Sequence, residues 1–284
     1  MKAAVQSTVA KSAFGKWITC GAVVGLVCVA FVFAPASWLA SAVVHYSQQQ
    51  VLLVQPRGTV WDGSADMVLA GGEGSSGALG LPTRLYWQIS PTWLGFQAQL
   101  HSPCCAQASN PVQLGLTLNL ASTLLLSPEL GWQMDVARLQ LPTEMLAGLG
   151  APWNTLQLTG DLNLKSDKLA GVWSSTEGLS RITGSAQLEL GNASTALSTV
   201  RPLGSYRLSS KGAVVRLETL GNETGASETA LILTGTGQIE QGRASFQGEA
   251  VAAAGREEAL SNLLHIVGQW QPGTDGRSRS ILKL

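Results

Sequence analysis

The sequence predicts a mainly β protein: a single N-terminal transmembrane helix followed by an exported antiparallel, curved β-meander or β-sandwich-like domain with two short helices. Three observations carry this reading. No Asp, Glu, Lys or Arg occurs between Lys16 and Arg57. After Arg57 the apolar residues recur at period two, the signature of half-buried strands. Gly, Pro, Ser and Asn then punctuate the chain at short intervals, as in a meander.

The uncharged stretch reads as residues 17–44 of a membrane anchor, with 1–16 cytoplasmic and 45–284 exported. About 20 apolar residues cross a bilayer, so this run is long enough with some tilt. Trp17, Ile18, Leu26, Phe31, Phe33, Trp38 and Leu39 are its principal apolar residues. Lys2, Lys11 and Lys16 precede it and no acid does, which places the N-terminus inside. Trp38 and Tyr46 then fall near the far interface, where amphipathic rings are favoured. The competing reading is a cleaved signal peptide with its site at "APAS" (Ala34 to Ser37). The run before that site is longer than a usual signal core, and apolar residues continue past it. Both readings export the remainder.

Strands follow in order. "TVWDGSADMVL" leads into the Gly/Ser-rich Ala70 to Gly80, a flexible connection. "TRLYWQIS" places Leu85, Trp87 and Ile89 on one face; after a turn at Pro91, Leu94, Phe96, Ala98 and Leu100 share a face. "VQLGLTLNL" and "WQMDVARLQL" alternate in the same way, the second with a phase slip that predicts a bulge near Ala137. "LQLTGDLNL", "SRITGSAQLEL" and "LILTGTGQIE" share apolar-x-apolar-Thr-Gly. Glycines so placed predict long strands that bend or bulge at similar heights. The two helices are expected over Leu141 to Gly150 and Arg256 to Gly268. The second has Glu257 and Glu258 in its first turn, favourable to the helix dipole, and a stripe of Leu260, Leu263, Leu264 and Val267. "SRSILKL" closes the chain as a strand.

Composition excludes several function classes. Charged residues are 13%, and with the three N-terminal lysines set aside 15 basic residues face 18 acidic ones with no basic run. Nucleic acid is not an expected partner. The three histidines, His45, His101 and His265, stand apart, and no HExxH, GxSxG, GxGxxG or Walker-type loop occurs. No catalytic residue, metal site or cofactor is expected. Asp62 and Asp66 are read as turn and strand residues, since Asp-Gly is a turn signal and Val60, Asp62 and Ser64 alternate. Cys20 and Cys28 lie in the apolar run as small hydrophobes. Cys104 and Cys105 are adjacent; an oxidising compartment closes them into a vicinal disulfide, and the alternative is reduced thiols at a loop tip. A metal site of His101 with these cysteines lacks a fourth ligand.

"PRGTVWDGSA" soon after the anchor, "LPTRLYWQISPTWLG", "LPTEMLAGLGAPWNTLQLTGDLNL" and "LSNLLHIVGQWQPGTDGRSRSILKL" occur in this order. Together they resemble the type II secretion system protein N family over nearly the whole chain beyond the anchor. Gly58, Trp61, Gly63 and Trp87 stand in these motifs as signature residues for structure or interaction. The cysteine pair and the Gly/Ser-rich segment do not belong to the pattern. The resemblance implies a bitopic inner-membrane protein of a Gram-negative bacterium with a periplasmic β-rich domain. It implies an accessory part in the export of folded proteins across the outer membrane, without catalysis or cofactor. Its implied partners are inner-membrane platform subunits, the outer-membrane secretin as a further candidate, and inner-membrane lipid.

Two functions follow for the sheet. In the first, strand edges or end helices dock other subunits. In the second, its inward Leu and Val form a hydrophobic trough for lipid, as in AsmA-like bridge and transfer proteins. Alternation alone does not say whether the apolar face meets a second sheet or a ligand.

Overall fold

The computed structural model describes residues 12–71, 78–118, 129–149, 153–174, 178–221, 229–240, 243–272 and 278–283. Most of the Gly/Ser-rich connection, Lys2 and Lys11, and the Gly150 end of the first expected helix lie outside them. So do the side chains of Trp17 and Val267.

Helix α1 (Ser12–Val32) carries the apolar run, and α2 (Ala36–Tyr46) follows after a break. The expectation of one helix through 17–44 is corrected here. Pro35 has no N–H to donate, and its ring disfavours the helical conformation in the residue before it. Helix α2 then turns onto the sheet, burying Ala36 and Ala40 and packing on β1 and β2. Among the described residues no helix is long and apolar enough to cross a membrane.

The described strands form a single antiparallel sheet. Its first part comprises β1 (Val51–Gly58), β2 (Asp62–Ala70), β3 (Ala78–Gly80), β4 (Leu85–Thr92), β5 (Gly95–His101) and β6 (Val112–Leu118). The long strands β7 (Glu129–Pro142), β8 (Thr159–Ser174) and β9 (Gly178–Ser194) stand at its centre. Strands β10 (Gly204–Lys211), β11 (Val214–Leu220), β12 (Leu231–Glu240) and β13 (Arg243–Ala252) continue it, and β14 (Gln269–Pro272) and β15 (Ser278–Lys283) finish it. From β4 to β13 each strand is bonded to the next; β4 also pairs with β2, β15 inserts between β13 and β14, and β3 pairs with β2. The meander is therefore as expected. A sandwich is not formed: no second sheet covers the apolar face among the described residues, because each hairpin extends the same sheet.

Register explains the two faces. Leu139, Leu164, Leu188, Leu208 and Leu217 stand opposite one another across five strands. One residue away on the other face run Asn163, Glu189, Arg207 and Glu218. A one-residue slip of any strand would exchange the leucine row with the polar one. Arg207 donates from Nε and Nη2 to Glu189 at 3.0 and 2.9 Å and reaches Glu218 at 3.5 Å. The guanidinium bonded to Glu189, with the Gln187 amide, holds its carboxyl below the usual value of 4.5 despite partial burial.

The bends fall where the glycines predict them. The register shifts around Gly160, which has φ +148°, and again where Gly184, at φ +82°, lies against the backbone of Lys168. Gly235 instead makes room for the Phe246 ring. The bulge expected near Ala137 is present between Val136 and Leu139. Pro91 lies within β4 and not at the turn, which is formed by Trp93 and Leu94. Strand β2 pairs with β4 only as far as Gln88, so the missing N–H of Pro91 interrupts no ladder on that side.

Of the two expected helices, the first is a 3₁₀ segment (Thr143–Leu149) followed by one helical turn (Trp153–Leu156). Gly148 there approaches the Leu69 carbonyl too closely for a Cβ. The second is α3 (Glu257–Val267). Its Leu260, Leu263 and Leu264 are buried against Leu203, Leu231, Ala250 and Ala252, which makes it the plug of the C-terminal half. Tyr206 donates from its hydroxyl to the Leu231 carbonyl at 2.9 Å beside this cluster, and burial raises its pKa.

Two outcomes test this account. Leu264→Ala removes a fully buried side chain and should destabilise the chain by about 2–5 kcal/mol in chemical denaturation. Glu189→Gln should cost about 0.5–1 kcal/mol at neutral pH, discounted for partial exposure. Because the folded carboxyl is the stronger acid, that difference should be complete above the ordinary glutamate pKa and vanish as the pH falls through the folded one. Urea titrations of both proteins at neutral and acid pH measure it.

Candidate functional site: the helix–sheet junction and its apolar groove

In an unbroken helix the Phe31 carbonyl would accept a bond from residue 35. Pro35 cannot supply it. The Trp61 indole Nε1–H takes that place, donating to Phe31 O at 2.8 Å. Beside it the Val60 N–H donates to the Ala34 carbonyl at 2.8 Å, and Pro35 bridges to Thr59. The turn between β1 and β2 thus supplies donors to carbonyls at the end of α1, where Phe31 otherwise accepts only a long bond from the Ala34 N–H at 3.4 Å.

The turn itself is closed by Thr59. Its N–H donates to the Asp62 carbonyl at 2.8 Å, and its Oγ1 accepts from the Asp62 N–H at 3.1 Å. Val60 and Trp61 therefore form the corner, while Asp62 and Gly63 open β2. Of the turn or bulge expected at Asp62 and Gly63, Asp62 closes the turn through Thr59 and Gly63 lies in the strand. Gly58, at φ +87°, and Gly63 pair across the base of the hairpin. A Cβ on Gly63 would stand 2.6 Å from the Trp87 ring and 2.7 Å from the Thr59 carbonyl. Trp87 is buried with Ala36 and Ala65. It donates from Nε1 to the carbonyls of Val60 at 3.1 Å and Thr59 at 3.3 Å. Gly58, Trp61, Gly63 and Trp87 are thus brought into one junction.

The Trp61 ring meets Phe31 edge-on, centroids 4.7 Å apart, and lies 6.1 Å from Phe96. These rings wall a groove of about 550 Å³ between the helix break and the sheet. Phe31, Ala34 and Trp38 line it from the helices, and Val60 and Trp61 from the turn. Ile89, Phe96, Ala98, Leu114, Gly115, Leu116, Trp132, Gln133 and Met134 form its floor. The floor follows from register: Phe96 stands opposite Leu116 and Leu116 opposite Trp132, with Ala98, Leu114 and Met134 in the next row. Among the described residues no charged or titratable side chain lines the groove, so its walls suit apolar matter.

The remaining candidate residues lie elsewhere. Ile18, Leu26, Phe31, Phe33 and Trp38 are more than half exposed, whereas Leu39 packs against the cluster of Ala36, Ala65 and Trp87. Cys20 and Cys28 are exposed on α1. Cys104 and Cys105 are joined by a disulfide between β5 and β6. Cys105 is buried there, and its carbonyl accepts from the Gln140 N–H at 2.9 Å. Asp62 is exposed, and Asp66 lies 3.7 Å from Arg84. His101 stacks on Tyr86, with centroids 5.1 Å apart. Among the described residues no three His, Cys, Asp or Glu side chains gather as a metal site.

Sequence reasoning missed the contact of Phe31 with Trp61 and the contribution of Trp132. Pro35 inside the apolar run was the signal for the first. The second needed the strand pairing.

Trp61→Phe keeps the ring contacts and deletes the N–H that reaches Phe31. It should lower stability by about 0.5–1.5 kcal/mol in chemical denaturation of the detergent-solubilised chain. Trp61→Ala, which also empties the wall of the groove, should cost more.

No curated protein and no solved structure matches the chain. A family model described as type II secretion system (T2SS), protein N, matches residues 49–279, from just before β1 into β15. The matched part contains the junction turn and almost the whole sheet. The chain therefore belongs to the type II secretion system protein N family, a family of secretion-system components.

Proposed function

We propose that the protein is a non-catalytic accessory component of the type II secretion system, fixed to the inner membrane by its N-terminal apolar run. In this reading the anchor lies within residues 17–44, with α1 (Ser12–Val32) as its membrane part, and the sheet stands in the periplasm with α2 packed on it. The family match over residues 49–279 carries the assignment to secretion. Lysines before the apolar run and none within it support a cytoplasmic N-terminus.

The open sheet supports a docking role. Strand β1 ends the strand order, so its outer side has no strand neighbour among the described residues. An edge of this kind accepts an added strand from another chain. Gln55, at φ +49°, and Pro56 interrupt β1, and the Ser47 hydroxyl already bonds the Val51 N–H and C=O, which leaves Leu52–Val54 as the usable segment. Platform subunits of the inner membrane are the expected partners, with the secretin as the second candidate.

Deleting the protein should reduce secretion of exoproteins or disturb assembly of the platform, and the full chain should restore both. Photocrosslinkers placed at Leu52 and Val54 should capture platform or secretin subunits. Unchanged secretion of every exoprotein together with an intact platform would rule the function out.

A further inference from the structure

We propose that the groove at the helix–sheet junction is a lipid site that takes one acyl chain of a bilayer phospholipid. The inference rests on the membrane-anchor reading, which places the end of α1 beside the bilayer.

Chemistry selects the occupant. The groove is lined by apolar side chains, with Gln133 the one polar residue among them. Gln133 lies between Trp132 and Met134 on β7, so strand alternation sends its side chain to the opposite face. The Trp61 N–H beside the groove is already bonded to Phe31. A peptide brings an N–H and a C=O with every residue and would find no partners here. A hydrocarbon chain brings none. The volume, about 550 Å³, lies within the roughly 300–1,000 Å³ usual for small-ligand sites.

Continuity points to the source. Phe31 belongs at once to the groove wall and to the last turn of α1. Behind it the exposed apolar surface of α1 runs through Val27 and Val24. The neighbouring β4–β5 hairpin ends in Trp93, 96% exposed, and Leu94, with Leu118 bonded alongside. A tryptophan at such a tip suits the membrane–water interface. An acyl chain leaving the outer part of the bilayer would therefore pass along α1 onto Phe96 and Leu116.

The full chain, reconstituted in vesicles of phosphatidylethanolamine and phosphatidylglycerol, should be irradiated with a phosphatidylcholine carrying a diazirine at the end of one acyl chain. Peptide mapping should find the label on β5, β6 or β7 as well as on α1. Ala98→Trp, which fills the groove floor, should reduce the strand label by more than half and leave the α1 label unchanged. Leu116→Glu, which puts a carboxylate among the rings, should do the same and covers the case in which the first variant does not fold. Label confined to α1, or strand label unaffected in folded variants, would overturn the proposal. So would a benzophenone at Phe96 that yields only crosslinked polypeptide in cells. Failure of the chain to fractionate with membranes would instead overturn the anchor reading, a separate result.

Discussion

A proline without an N–H fixes how the helical and β parts of this protein meet. Pro35 follows the end of α1 and cannot donate back to the Phe31 carbonyl, and the carbonyls of Phe31 and Ala34 take donors from the sheet. Trp61 and Val60 supply them from a single turn. An indole donor and a backbone donor on adjacent residues define both the position and the direction of the helix end. Trp87 holds the same turn from the sheet side through its own indole. The glycines at positions 58 and 63 are needed because the hairpin base and the Trp87 ring fill the space a Cβ would take. The junction is thus one hydrogen-bonded unit.

The sheet it holds is asymmetric in stabilisation. The α3 plug covers the apolar face near β10 to β13, and α2 covers it near β2 and β4. A third cluster, Ala106, Val112 and Val136, lies under the cysteine loop. Between these covers Phe96, Leu116 and Trp132 face the groove, opposite Trp61 and the helix break. An open apolar face of this size is costly in water unless something occupies it. That cost is the physical reason for treating the groove as a place of binding rather than as a gap in the fold.

Much of this was legible in the sequence because it is local. Period-two patterning, Thr-Gly bends, the slip at Ala137 and the amphipathic α3 depend on residues close in the chain, and each appears in the fold. What was not legible depends on pairing or on competition. The Leu141 to Gly150 segment has helical spacing, yet close approach to the Leu69 backbone goes with a 3₁₀ form. Asp-Gly signals a turn in general, but Thr59 closes one a step earlier and carries Asp62 into β2. The choice between sandwich and single sheet cannot be made from alternation, since both bury every second residue. The groove was half visible: Phe96 and Ala98 were assigned to one face, but which residues of β7 and the helices meet them is set by register and by Pro35.

The strand order has a consequence for how the molecule is made. From β5 to β13 every strand lies beside the strand that precedes it in synthesis. Contacts of this kind close short loops, and short loops cost little entropy and form quickly. A chain emerging from its N-terminal end can add hairpins one after another to an edge already formed, in the manner of a linear array. The final step differs. Strand β15 must insert between β13 and β14 while α3 seats its leucines. Strand β14, although made earlier, therefore joins the sheet as its outer strand only through β15.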